Sequence, residues 1–514
     1  MANKLLTISD LQSKLLAKEF TCVEYTTQLF KHIENTAHLN NFISLTKDKA
    51  LKVARQIDNT ISNVDVNVKK LGNLFGAVVS IKDNIFTSFC KTTGASKLFE
   101  NFTPPKDAEI VSRLLSCGAI IVGKANLDEL GIGITNETSY YGSVKNVLDT
   151  GLVAGGSSGG SANAVAALQC NVSIATDTGG SIRLPSSFTN TIGFKPSSKD
   201  MPYSRGVHHY VKSLDQIGFL SSNIDDLIKV YNSVSQTSSA SQTKGGKNQK
   251  TNTPSNKLSK KIVIGIDISH YNFITKGREQ KVAILNRSLQ TLKALATLGG
   301  SADTDTADFV QLDFVDIKLD IQPTLEIYDI LGNTEFYETF ALDTALDESK
   351  LGAEARARYN RGKAYSKDKA MQLNAQTLLA NLKLQADAAF KKCDIIFTPT
   401  TPFYPIRLGA LSKDKESDNG KENKNDKEND KGEYDKGNEK DKGKDNGKGV
   451  RGQQYKYADI YSMFANLLDL PSISLPSFKK LPTGQLPFNF TLTGSSSEML
   501  LRISKNYLKS LNSQ

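Results

Sequence analysis

The chain has 514 residues, 39% of them hydrophobic, which suits one large α/β domain or about three ordinary ones. Lys and Arg number 64 against 54 Asp and Glu, a formal charge of +10. There is no basic run or interleaved aromatic patch of the kind a nucleic-acid surface shows. No stretch approaches the ~18 consecutive apolar residues of a membrane span. Five scattered cysteines without a CxxC pair exclude a disulfide scaffold and a zinc ribbon, and five histidines lack HxxxH spacing.

In chain order, MANKLLTISDLQSKLLAKEF reads as an amphipathic helix, with Ser9 as N-cap and Gln12 three residues on. It contains Asp10 and Glu19 and no arginine, so it lacks the Arg-rich, acid-poor pattern of a cleavable mitochondrial presequence. A second amphipathic helix is predicted from about Cys22 to Ile33. AVVSIKD (77–83) is an apolar, β-branched run and is predicted as a buried strand. Residues 107–117 read as helix, AIIVGKAN (119–126) as strand, SANAVAAL (161–168) as helix and NVSIATDT (171–178) as a strand entering a glycine turn. Further strands are predicted at 261–267, 309–314 and 394–400, with helices near 279–298, 323–343 and 366–391. Short strands alternating with helices predict an α/β fold, a mixed sheet covered on both faces.

Two segments break the pattern. Residues 234–260 are polar and predicted as a flexible loop. Residues 413–449 hold 11 lysines and 12 acids and no aliphatic side chain, so they predict a disordered low-complexity insertion. The remainder, within 1–514, reads as a single domain.

The chemistry concentrates in VAGGSSGGSANAVAALQCNVSIATDTGGSIRLPSS (153–187). One glycine-serine loop, Gly155 to Ser161, leads into a helix. A second, Asp177 to Ser181, follows a strand. Such loops turn backbone N–H groups toward one point, which suits a phosphate or the oxyanion of acyl transfer. Neither loop ends as a P-loop does, and Ser181 does not sit in a GxSxG elbow. A serine nucleophile needs a base. His208 and His209 are the nearby histidines. Lys82, interrupting an apolar strand, is the better candidate, because burial would favour its neutral form.

GGSSGGS, TDTGGSIR and the upstream IKDNI together resemble the amidase signature family, from about residue 7 to 493 outside the insertions. KTTGASKLFENFTPPKDAEIVSRL (91–114), LDELGIGITNETSYYGSVKN (127–146) and SLDQIG (213–218) are similar to the A-type branch of that family, found in glutamyl-tRNA(Gln) amidotransferases. The resemblance implies a large mixed central sheet sandwiched between helices. It implies a Ser-cisSer-Lys triad in which Ser181 attacks the amide of glutamine, Ser157 relays the proton and Lys82 accepts it. Backbone N–H groups at Thr178, Gly179 and Gly180 would hold the oxyanion.

For glutamine binding the resemblance implies Arg358 in GAEARARYNRG, Asp459 in YADIYSMFANLLDLPSIS and Tyr328 in LEIYDIL. A free amino acid needs one cation and one anion. The resemblance further implies the glutaminase half of a glutamine-hydrolysing glutaminyl-tRNA synthase, with no cofactor on this chain. A B subunit would use ATP and Mg²⁺ on Glu-tRNA(Gln), and a small stabilising subunit of the C or F type would complete the assembly. A fungal mitochondrial version, in the matrix, is the expected source. The alternative is a free-standing amidase of small or fatty amides, and a third reading is an inactive scaffold. Departures from the family pattern are Leu184 in place of glutamine after SIR, the altered loop GFKPSSKDMPYSRG, and a poorly matching GQLPFNFTLTG.

Overall fold

Alternation along the central strands decides which side chains meet which helices. The computed structural model describes residues 5–63, 71–201, 206–235, 261–267, 278–297, 311–341, 346–410, 458–478 and 485–513. In β2 (Val78–Lys82), Val79 and Ile81 enter one core with Ile121 and Ile174. Val78 enters a second core with Ile120, Val122 and the helix residues Ala162 and Val165. The period of two thus builds a layer on each face of the sheet. Lys82 shares parity with Val78 and so belongs to the face covered by the helix Gly159–Ala166.

β1 (Phe42–Leu45), β3 (Ile120–Ala125), β4 (Val172–Asp177), β5 (Ile192–Lys195), β6 (Gln216–Ser221), β7 (Lys261–Ile266), β8 (Gln311–Asp316), β9 (Ile395–Pro399), β10 (Ser472–Pro476) and β11 (Asn489–Gly494) complete the sheet. Its 11 strands run in the order β1-β3-β2-β4-β6-β5-β10-β11-β9-β7-β8. β3, β2 and β4 are parallel neighbours, as are β8, β7 and β9, while the pairs between these groups are antiparallel. This is the mixed, helix-covered sheet expected. β2 and β4 end side by side at Lys82 and Asp177, and loops beyond the carboxyl ends of parallel strands are where α/β proteins build sites.

Three expectations need correction or lie elsewhere. The first helix spans Ile8–Leu16 and its N-cap is Thr7, whose side chain accepts from Asp10 N, rather than Ser9. Gln12 points instead to the carbonyls of Asn73 and Phe75. The helix starts two residues early because the buried Asp226 carboxylate takes the N–H of Ile8 at 2.8 Å. Val234, read as the start of the polar loop, is the buried last residue of the helix Ile224–Val234, and Arg113 binds its carbonyl at 3.0 Å. The rest of that loop, 236–260, and the insertion 413–449 lie outside the described residues.

GQLPFNFTLTG, despite its poor family match, supplies β11, an interior strand paired on both sides with β10 and β9. Leu184 is fully buried among Val153, Phe188 and Phe403. None of the described helices is long and apolar enough to cross a membrane.

Candidate active site

Lys82 is the last residue of β2 and has no exposed surface. Its Nζ lies 2.9 Å from Ser157 Oγ, 2.7 Å from Ser158 Oγ and 3.3 Å from the Thr176 carbonyl of neighbouring β4. Burial pulls its pKa down to about 7, against the opposing pull of the Asp128, Asp177 and Asp215 carboxylates. A neutral amine is therefore available near neutral pH.

Ser157 sits just before the helix Gly159–Ala166, and the Gly156–Ser157 peptide is cis. The Ser157 carbonyl accepts from Asp128 N at 3.1 Å, which ties this loop to the segment after β3. Gly156 is required by contact rather than by φ. A Cβ there would stand 1.9 Å from Asp128 Oδ2. That carboxylate is held by Asn136 N, Thr138 N and Thr138 Oγ1. Ser158 Oγ donates to the Thr176 carbonyl at 3.1 Å and its N–H to the Ser181 carbonyl at 3.1 Å. Ser158 therefore does more than shape the loop. It is the closest partner of Lys82 and a strut between the two glycine-serine loops.

Ser181 lies on the second loop, between β4 and the helix Arg183–Phe188, and is 7% exposed. Asp177 and Arg183 clamp that loop from beneath, with Arg183 Nη2 and Nε on the two Asp177 oxygens at 2.8 and 3.2 Å. Burial alone would raise the Asp177 pKa, but the guanidinium and the Ile182 N–H overcome it and hold the carboxyl at about 2. Arg183 also binds the Ser462 carbonyl and Asn466 Oδ1 at 2.8 and 2.6 Å. Thr178 Oγ1 donates to Asp215 at 2.6 Å. Among the described residues, no protein oxygen takes the backbone N–H of Gly179, Gly180 or Ser181. Buried N–H groups rarely stay unpaired, so this loop is built to bind an acceptor.

Three charged or aromatic side chains close the far wall. Tyr328 lies against Gly179, whose Cβ would stand 3.1 Å from Tyr328 Cε2. Arg358, on the helix Ala353–Tyr365, approaches Tyr328 Oη at 3.4 Å and lies over its ring. Asp459 caps the helix Ile460–Leu467, and its Oδ1 would be 3.4 Å from a Cβ at Gly180. Gly180 has φ +145°, which an L side chain rarely adopts. Arg358 Nε and Asp459 Oδ1 are both buried without a hydrogen-bond partner. Burial and the Asp177 carboxylate push the Asp459 pKa up to about 8, against Arg183 and Arg358.

The fold thus gathers all nine sequence-predicted residues around one loop. It excludes the histidine alternative at His208. That ring stacks on Phe99 and Tyr210, its Nε2 is 3.4 Å from the Thr92 carbonyl, and burial lowers its pKa to about 4. Sequence reasoning missed Asp128, Asn466 and Ser462, whose buried Oγ is unpartnered beside Gly180. The signal was present for Arg183 and Asp177, charges inside otherwise apolar segments.

A family model described as amidase matches residues 24–426. The chain belongs to the amidase family. It is 31% identical over 418 residues to the A-type component of the glutamyl-tRNA(Gln) amidotransferase of Natranaerobius thermophilus, covering 79% of this chain and 82% of that one. The second such A-type component of Clostridium acetobutylicum is 29% identical over 502 residues, covering 93% and 94%. Among solved structures, the A-type component of the Thermotoga maritima glutamyl-tRNA(Gln) amidotransferase has a TM-score of 0.65 at 24% identity, covering 98% and 93%. A structure described as an amidase has a TM-score of 0.74 at 21% identity, covering 98% and 99%. Both structures share the fold.

Proposed function

We propose that this chain is the glutamine-hydrolysing subunit of a tRNA-dependent amidotransferase, and that Lys82, Ser157 and Ser181 carry the reaction. The observation that carries the reading is the juxtaposition of an unpaired buried guanidinium nitrogen on Arg358 and an unpaired buried carboxylate oxygen on Asp459 beside the Ser181 loop. A carboxylate and an ammonium on one small substrate would satisfy both. The amino-acid substrate this describes fits the names of the relatives, which are components of glutamyl-tRNA(Gln) amidotransferases.

In the proposed reaction Ser181 Oγ attacks the side-chain amide carbon of glutamine. Its proton passes to Ser157 Oγ as the Ser157 proton passes to neutral Lys82 Nζ. The N–H groups of Thr178, Gly179, Gly180 and Ser181 stabilise the tetrahedral oxyanion. The C–N bond then breaks and the relay returns a proton to the departing nitrogen, which leaves as ammonia. Water enters along the same relay, cleaves the γ-glutamyl ester and releases glutamate. Arg358 and Tyr328 receive the α-carboxylate, and Asp459 the α-ammonium.

The partners proposed are a B subunit that activates Glu-tRNA(Gln) with ATP and Mg²⁺ and consumes the ammonia, and a small C- or F-type subunit. The matrix of the mitochondrion is the proposed compartment, testable by fractionation of tagged protein. A free-standing amidase of simple amides has no use for a buried guanidinium and a buried carboxyl, each with an unpaired atom, at its acyl pocket. The deciding experiment is ammonia release from glutamine by wild type and Ser181→Ala, alone and with candidate partners and Glu-tRNA(Gln). Loss in the variant and stimulation by partners support the proposal. Turnover of simple amides but not glutamine would remove it.

A further inference from the structure

Glu129 is a buried carboxylate outside the reacting groups, 4% exposed. It follows Asp128, whose N–H holds the Ser157 carbonyl. Its own N–H donates to Thr138 Oγ1 at 3.0 Å, and that hydroxyl donates to Asp128 at 2.8 Å. The Glu129 side chain crosses to another part of the chain, 223 residues away. Gly352 N donates to Oε2 at 2.9 Å and to Oε1 at 3.1 Å, while Ser96 Oγ donates to Oε1 at 2.6 Å.

Gly352 is the N-cap of the helix Ala353–Tyr365 and has no side chain with which to cap it. Glu129 takes the N–H of this N-cap residue from outside, the bond an N3 glutamate makes in a capping box, and puts negative charge at the positive end of the helix. The fit is close. A Cβ at Gly352 would stand 2.2 Å from Glu129 Oε2, although the backbone there, at φ −63° and ψ 166°, is open to any residue. Glycine is thus needed for the carboxylate, not for the turn. Arg358 lies on the same helix, six residues past Gly352. Ala355 and Tyr359, flanking it, pack in one cluster with Leu130, the residue after Glu129.

We infer that Glu129 is a positioning residue for substrate recognition: by gripping the N-cap N–H of the Arg358 helix it sets where Arg358 meets the substrate α-carboxylate, and it couples that helix to the Ser157 loop. The inference rests on the reading of Arg358 as the carboxylate receptor. Glu129 does not touch the reacting atoms.

The test is steady-state hydrolysis by the full chain with its partner subunits, using glutamine and a primary amide without an α-carboxylate, butyramide. Glu129→Ala raises KM for glutamine about tenfold while kcat changes less than about threefold. Glu129→Gln, whose amide can accept from Gly352 N and donate to Ser96, stays within about threefold of wild type in KM. Gly352→Ala displaces the carboxylate and reproduces the Glu129→Ala effect, so it carries the test alone if Glu129→Ala does not fold. On butyramide both variants lose less than about threefold, since Arg358 has nothing to grip there.

An equal loss on both substrates, or a fall in kcat at constant KM, would overturn the inference. Arg358→Ala separates the two levels. A raised KM for glutamine in Arg358→Ala with unchanged KM in Glu129→Ala and Gly352→Ala removes this inference alone. An unchanged KM in Arg358→Ala removes the pocket reading as well.

Discussion

Lys82 Nζ and Ser157 Oγ face each other at 2.9 Å, at 0% and 1% exposure, so the amine and the hydroxyl meet without competing water. The same burial that isolates the pair lowers the lysine pKa to about 7. One geometric fact therefore supplies both parts of the proposed relay, the proton path and the proton acceptor.

The first prediction follows from that titration. Only neutral Lys82 can take the Ser157 proton, so kcat for glutamine rises with pH and levels off above about 7, while kcat/KM also carries the Asp459 ionisation and rises on to about 8. Lys82→Arg, which stays charged, is inactive across the range. Stability moves the same way. The unfolded chain keeps the Lys82 proton up to its ordinary pKa of 10.5 while the folded chain loses it near 7, so this group adds stability as pH rises between the two. A pH–rate profile and urea midpoints at two pH values check both signs against Lys82→Met, which lacks the stability trend.

Ser158 gives the second prediction. Ser158→Ala removes the closest partner of Lys82 and the hydroxyl on the Thr176 carbonyl. The base is then held by Ser157 and a longer backbone contact alone. We expect kcat to fall about 10–100-fold with KM for glutamine little changed, the pattern of an interaction used in the transition state. Stopped-assay kinetics on the purified variant measure it.

The third prediction concerns the clamp beneath the Ser181 loop. Arg183→Met strands the Asp177 carboxylate, which has no exposed surface, and orphans Asn466 Oδ1. Breaking a buried pair from one side costs about 3–5 kcal/mol. The expected result is a clear fall in melting temperature together with loss of activity, read by calorimetry and ammonia release.

Much of this was legible in the residues, and the failures are instructive. β2 and β4 were visible because valine and isoleucine crowd one run, and the loops because only glycine and serine fill them. β10 and β11 were not. SISLP and NFTLTG mix small polar residues with apolar ones, and they are buried because their hydroxyls pair with each other, as Ser472 Oγ does with Thr493 Oγ1 at 3.0 Å. No periodicity announces that. The Arg358 helix, AEARARYNRGKAY, shows no apolar stripe because its buried face, Ala355, Arg358, Tyr359 and Gly362, mixes a charge and a glycine with a small and an aromatic residue. The role of Glu129 was hidden because its partner is 223 residues away.

Asp459 gives the fourth prediction. With its pKa at about 8, this carboxyl holds a proton at pH 7, and a bound ammonium favours the ionised form. Glutamine binding therefore releases a proton below about pH 8, and affinity rises with pH up to that point. Titration calorimetry in buffers of different ionisation enthalpy counts the proton, using Ser181→Ala to block turnover. Asp459→Asn should abolish the release and weaken binding about tenfold or more.

In the proposed reaction Ser181 carries the acyl group between ammonia loss and hydrolysis. The direct measurement is peptide mapping by mass spectrometry of the assembled enzyme, quenched in acid during glutamine turnover. The expected result is a γ-glutamyl adduct on the peptide bearing Ser181, absent in Ser181→Ala and accumulating in no other peptide. An adduct on Ser157, or steady ammonia release from Ser181→Ala, would contradict it.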